Sequence, residues 1–213
     1  MKADGRIGIL ISGRGSNMEA IIRAAEAGRI PAVVSIVISN DPAAEGLKKA
    51  QEHGVQTLAL DPKRVASARE RDRRIMAALE EHRVDLVCLA GYMKLLTPDF
   101  LKAYGGRILN IHPALLPAFP GLEVQRKALE HGVRFTGATV HFVDEGVDTG
   151  PIVLQAVVPV EQDDTPASLA ERILREERRI YPEAVKLFLE GRLKVEGRRV
   201  RILPAPGRDV RGQ

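Results

Sequence analysis

Tryptophan is absent from the 213 residues, cysteine occurs once, asparagine occurs at three positions, and aromatics make up 4% of the chain. No apolar run approaches the roughly 20 residues needed to cross a bilayer. With so few aromatics, and no motif resembling that of an RRM, a base-stacking RNA-binding surface is not expected. The one cysteine, Cys88, lies inside the apolar run Asp85-Leu86-Val87-Cys88-Leu89-Ala90. Such a thiol reads as buried and inert rather than nucleophilic. A single cysteine cannot build a zinc cage, and His53, His82, His131 and His141 lack paired spacings such as H-E-x-x-H, so no metal is expected. No G-x-S-x-G elbow is present, which disfavours a serine nucleophile. The start, Met1 to Arg6, leads directly into a strand-like run, and the expected location is cytoplasmic.

The asparagine shortage, with arginine far more frequent than lysine, fits adaptation to high temperature. It also draws attention to Asn17, Asn40 and Asn110. Where a chain has largely dispensed with a residue type, the survivors are held by function or by turn geometry.

What is present is ordinary for one globular domain: 45% hydrophobic and 28% charged residues in a length suited to a single core. The formal charge is +4. The bases alternate with acids, as in Arg69-Glu70-Arg71-Asp72-Arg73-Arg74 and from Arg172 to Arg179, which is the pattern of salt-bridged helix faces rather than of a nucleic-acid footprint.

Short β-rich runs alternate with helical periodicity, predicting an α/β, Rossmann-like domain with a mostly parallel sheet and helices on both faces. Strands are predicted at Arg6–Ser12, Ala32–Ser39, Gln56–Leu60, Asp85–Ala90, Arg107–Ile111, Gly137–Val143 and Ile152–Val160. Met18, Ile21, Ile22 and Ala25 mark the buried stripe of the first helix. Further helices are expected at Ala43–Gly54, Ala66–His82, Leu122–Glu130 and Ala167–Glu190. Thr97-Pro98 and Thr165-Pro166 each put a hydroxyl at an N-cap and proline at the first helical position. Leu193 to Ile202 alternates around Gly197 as a hairpin. One domain is expected over residues 1–203, followed by a frayed tail over 204–213.

Three segments can carry chemistry. Ser12-Gly13-Arg14-Gly15-Ser16-Asn17 joins a strand to a helix, where free N–H groups and the helix dipole suit a phosphate; the bland alternative is a tight turn with a Ser or Asn cap. Met18 stands where the third glycine of G-x-G-x-x-G would fall, and no Lys-Ser/Thr ending follows, so a dinucleotide or ATP is disfavoured. In the second segment, Leu109 to Pro117, Asn110 and His112 share a strand face at its carboxyl end, where ligand sites of open α/β sheets lie. An asparagine amide can stabilise a tetrahedral oxyanion, and a histidine can move the protons of transfer to an amine. The third, Asp144 to Pro151, is a turn-rich acidic loop whose Gly and Asp content turn chemistry alone would explain; an acid there, Asp148 or Asp144, which spacing does not separate, could orient the histidine, and Asp148 is preferred.

Together these motifs closely resemble the folate-dependent phosphoribosylglycinamide formyltransferase family from Ile7 to about Leu193. Asn110-Ile111-His112-Pro113-Ala114-Leu115-Leu116-Pro117 looks like that family's N-I-H-P-S-L-L-P, with Ala114 replacing serine. Val147-Asp148-Thr149-Gly150-Pro151 looks like its acidic loop, and Gly13-Arg14-Gly15-Ser16-Asn17 like its G-x-G-S-N. The resemblance implies formyl transfer from 10-formyltetrahydrofolate to the amine of glycinamide ribonucleotide in purine synthesis, with Asn110, His112 and Asp148 catalytic. It implies ribonucleotide binding by Gly13, Arg14, Gly15, Ser16, Asn17 and Glu177. It places the folate along Tyr92, Met93, Lys94, Leu95 and Leu96, beside Asn110 and the loop Asp144, Glu145, Gly146, Val147 and Asp148, with Arg69 facing the folate tail, although Ala68 aligns there without a gap. The small-molecule substrates are then the only partners expected, with neither nucleic acid nor membrane. The signature is shared with methionyl-tRNA formyltransferases and formyltetrahydrofolate deformylases. The Gly-rich loop, and the lack of the tRNA enzyme's extra C-terminal domain and the deformylase's N-terminal domain, favour the ribonucleotide enzyme. A deformylase and a non-catalytic nucleotide-binding module remain the alternatives. Ala118, Glu123 and Gln125 stand where the family often has a basic residue or histidines.

Overall fold

The computed structural model describes residues 5–205. Along the chain run β1 (Gly5–Ile11), α1 (Ser16–Glu26), β2 (Ala32–Ser39), α2 (Glu45–Glu52), β3 (Gln56–Ala59), α3 (Ala68–Glu81), β4 (Leu86–Leu89), α4 (Pro98–Tyr104) and β5 (Ile108–His112). They are followed by α5 (Val124–Glu130), β6 (Phe135–Phe142), β7 (Ile152–Pro159), α6 (Pro166–Leu189), β8 (Leu193–Glu196) and β9 (Arg199–Ile202). The strands form one sheet in the order β3-β2-β1-β4-β5-β6-β7-β9-β8. Pairing is parallel from β3 to β5 and antiparallel across β5, β6 and β7. The α/β class and the mostly parallel sheet match the sequence pattern.

Both faces of the sheet are covered because its central strands are apolar on both sides. In β1, Ile7, Ile9 and Ile11 pack with Met18, Ile21 and Leu47 of α1 and α2 and with Leu169 and Ile173 of α6. Leu10 points the other way, toward Ile75 and Leu79 of α3 and Phe100 and Tyr104 of α4. Cys88 is fully buried in β4, and burial pushes its thiol up to about 12, which leaves it un-ionised and inert.

Thr165 closes a capping box with Ser168 at the start of α6, but Thr97 makes no side-chain cap for α4. Asp72 instead accepts the Thr97 N–H at 2.6 Å, and the threonine hydroxyl is buried without a partner. Helix α5 begins at Val124 rather than Leu122, since Glu123 has φ +58°, a left-handed conformation that cannot continue into a helix. The predicted hairpin is β8–β9, attached to β7 through the parallel pair Ile152 and Arg199. Most of the segment expected to fray, residues 206–213, lies outside the described residues.

Strand order fixes where a ligand can sit. From β1 the chain moves outward to β2 and β3, then returns to the other side for β4 and β5. Connections after β1 and β4 therefore leave in opposite directions, opening a crevice at the carboxyl ends of these strands. The loop after β1, the segment Tyr92–Leu96 after β4, the end of β5 and the β6–β7 loop carry the candidate residues.

Candidate active site

Ser12 to Gly15 link β1 to α1. Gly15 adopts φ +70° and its carbonyl accepts the Glu19 N–H at 2.9 Å, while no side chain caps the helix. The first-turn N–H groups of α1 are thus not taken by the Ser or Asn cap that the sequence allowed. Gly15 also meets Gly46 of α2 so closely that a Cβ on Gly15 would lie 2.8 Å from the Gly46 Cα. Asn17 turns away from the helix terminus and donates to the Glu177 carboxylate at 2.9 Å. Glu177 is 7% exposed, far from the surface role its charged surroundings in the sequence suggested. Burial raises its pKa, partly opposed by the bond from Asn17. Arg14, Ser16, Asn17 and Glu177 line a cavity of about 580 Å³ whose inner wall includes Gly91, Met93, Ile111, Pro113 and Gln125.

Asn110 and His112 project from the end of β5 to one face, as their spacing requires. His112 is 4% exposed. Its Nδ1 lies 3.3 Å from Asp148 Oδ2, and its Nε2 donates to the Phe119 carbonyl at 2.9 Å. Burial lowers the His112 pKa, and the Asp148 charge, which pulls the other way, does not cancel it. In the neutral ring one of the two contacts must set lone pair against lone pair, so the geometry welcomes a proton that desolvation resists. Asp148 takes a left-handed backbone at φ +56° and its Oδ2 accepts the Gly121 N–H at 2.8 Å. Burial would raise its pKa, but His141 and the Gly121 N–H, helped by His112, bring it below the usual carboxylate value.

A second imidazole completes the cluster. In the antiparallel register of β5 and β6, Asn110 pairs with His141. The His141 Nδ1 faces the Phe142 carbonyl at 2.8 Å, which makes that nitrogen the donor. Its Nε2 then accepts from the Asn110 amide at 3.1 Å and lies 3.6 Å from Asp148 Oδ1. Spacing along the chain does not single out His141, which lacks the pattern of a metal ligand. The signal was available in β6, where an antiparallel neighbour in register would set His141 opposite Asn110.

Beside this cluster lies a second cavity of about 490 Å³, lined by Tyr92, Met93, Lys94, Leu95, Asn110, His112, Val147 and Asp148. A smaller lobe of about 180 Å³ adds Leu96, His141, Asp144, Glu145 and Gly146. The acidic loop is folded on itself by Asp144, which accepts from Gly146 N and Thr149 Oγ1. The opposite wall is braced by a pair not singled out from the sequence. Asp72, fully buried, binds Arg71 at 2.7 Å and the Thr97 N–H, while Arg71 donates to the Leu95 carbonyl at 2.6 Å. Arg69 lines neither cavity and pairs with Asp99 on the surface at 3.2 Å. Glu123, exposed, pairs with Arg126, and Gln125 lines both large cavities. No group of three or more His, Cys, Asp or Glu side chains among the described residues is arranged to hold a metal ion.

An open α/β sheet with an uncapped helix start on one side of the crevice and an Asn–His–Asp cluster on the other suits an enzyme that handles an acyl group through a tetrahedral intermediate. Residues 5–185 match the family model described as formyl transferase, and the chain belongs to that family. It is 42% identical over 187 residues to the phosphoribosylglycinamide formyltransferase of Escherichia coli (strain K12), covering 88% of each chain. It is 46% identical to the trifunctional purine biosynthetic protein adenosine-3 of Drosophila melanogaster over 87% of its own length, but spans only 14% of that protein. The crystal structure of glycinamide ribonucleotide transformylase 1 from Symbiobacterium toebii superposes with a TM-score of 0.93 at 56% identity, covering 96% of both chains.

Proposed function

We propose that this chain transfers the formyl group of 10-formyltetrahydrofolate to the amine of glycinamide ribonucleotide, a cytoplasmic step of purine synthesis acting on small molecules alone. The observation that carries the reading is that Asn110, His112 and Asp148 line one cavity, which shares a wall of five residues with another cavity that reaches the uncapped start of α1. The ribonucleotide phosphate binds Gly13, Arg14, Gly15, Ser16 and Asn17, with Glu177 behind them. The reduced folate occupies the other cavity, between Tyr92–Leu96 and Asp144–Asp148.

The amine attacks the formyl carbon and a tetrahedral intermediate forms. Asn110, its amide held by His141, donates to the developing oxyanion. His112 is neutral in the resting site and gains a proton as the intermediate forms, aided by Asp148, which holds the ring and stabilises its charge. That proton then goes to the leaving folate nitrogen, and the bond from carbon to that nitrogen breaks. No covalent enzyme intermediate is required.

The test is release of deformylated folate from 10-formyltetrahydrofolate, followed spectrophotometrically with and without glycinamide ribonucleotide. Release that depends on the ribonucleotide is expected. Equal release without it identifies a deformylase, and no release in either case leaves a binding module.

A further inference from the structure

The two large cavities share five lining residues: Gly91, Met93, Ile111, Pro113 and Gln125. Two reactants held in separate cavities can meet only at this shared wall. Four of the five have no hydrogen-bonding side chain, apart from the weak thioether of Met93; Gln125 alone carries a strong donor and acceptor.

Its amide is also unengaged. The other side-chain amides of the site are at least partly committed: Asn17 donates to Glu177, although its Oδ1 is buried without a partner, and Asn110 donates to His141. Gln155, behind the Pro-rich loop, is held by the Leu116 carbonyl and Thr139. Gln125, in the first turn of α5, makes no side-chain hydrogen bond to any described residue and is half-buried in the cavity wall. Its neighbour Glu123 also lines the second cavity but not the shared wall, and its exposed carboxylate is held by Arg126.

We propose that Gln125 is a positioning residue for the acceptor: its carboxamide pairs with the amide of the glycinamide arm and aims the terminal amine at the formyl carbon. This rests on the function proposed above. A carboxamide matches an amide in donors and acceptors, and it cannot titrate, so it would neither take the amine's proton nor disturb the balance between His112 and Asp148. Orientation of this kind acts on both the affinity of the arm and the rate at which the bound amine reacts.

The test compares the wild-type protein with Gln125→Ala and Gln125→Glu in steady-state transfer assays, with ribose 5-phosphate as a competitive probe that fills the phosphate end but lacks the arm. For Gln125→Ala the expected result is a KM for glycinamide ribonucleotide raised about tenfold and a kcat lowered severalfold. The KM for 10-formyltetrahydrofolate and the inhibition constant of ribose 5-phosphate should stay within twofold. Gln125→Glu, which keeps the shape and loses the donor, should show the same selective loss. The proposal is overturned if all parameters stay within twofold, if the folate KM is the one that moves, or if ribose 5-phosphate weakens in parallel with the ribonucleotide. Wild-type protein that shows no ribonucleotide-dependent transfer would instead refute the function on which the proposal rests.

Discussion

Asp148 touches both histidines of the site and a backbone N–H besides, so its loss should be felt twice over. Asp148→Asn is expected to lower kcat by about 10²-fold or more, in the range lost with a general acid–base group. His141→Ala leaves Asn110 in place but frees its amide, and should cost roughly 10- to 100-fold, less than the about 10²–10³ lost with an oxyanion donor itself. Circular dichroism should show both variants folded, while single-turnover rates read the chemical step. Glu177 makes a different prediction, about stability. Burial raises its pKa above that of the unfolded chain, so folding favours the protonated acid. The cost of its charge is absent below about pH 4.3, the ordinary glutamate value, and grows as pH rises through the folded value. Glu177→Gln, which can keep the bond from Asn17, should therefore raise Tm at pH 8 and hardly change it at pH 4. An equal shift at both pH values would show that the carboxylate is not the source. Asn110, His112 and Asp148 could be picked out in the sequence because each motif is local. His141 and Arg71 could not, since each gains its role from a strand register or a helix packing that brings distant segments together.

At the scale of elements, α6 does more than cover the sheet. Tyr181, fully buried at the middle of this helix, places its hydroxyl 3.0 Å from the Leu89 carbonyl and 2.9 Å from that of Leu109. One hydroxyl proton shared between two strand ends ties β4 to β5 just below the segments that carry Tyr92 and Asn110. Tyr181→Phe keeps the packing and strips both carbonyls of their partner, so it should cost about 1–3 kcal/mol in urea unfolding. A larger loss of kcat than of stability would locate its main effect in the placement of Asn110. Existence and type of nearly every element were legible from periodicity, since the central strands are apolar and the helices carry clean stripes. The ends were not. Helix α5 starts late because Glu123 adopts a left-handed backbone, and the Thr97 hydroxyl does not cap because Asp72 claims the neighbouring N–H; both depend on contacts more than a turn away.

For the whole molecule, the βα alternation made the parallel half of the sheet readable, whereas strand order, and with it the crevice between β1 and β4, emerges only from three-dimensional packing. Ligand binding should report on that packing. Glycinamide ribonucleotide at 100 times its Kd should stabilise the fold by about 2.7 kcal/mol, visible as a higher Tm, if it binds the native state alone. The bond between Asn17 and Glu177 joins residues 160 positions apart. During synthesis the loop between β1 and α1 leaves the ribosome early, whereas Glu177 on α6 follows 160 residues after Asn17. Because β1 and α1 bury their apolar residues partly against α6, the cavity between α1 and α6 cannot close until α6 has been made and has docked, so a chain stalled before that point carries the motif without the pocket.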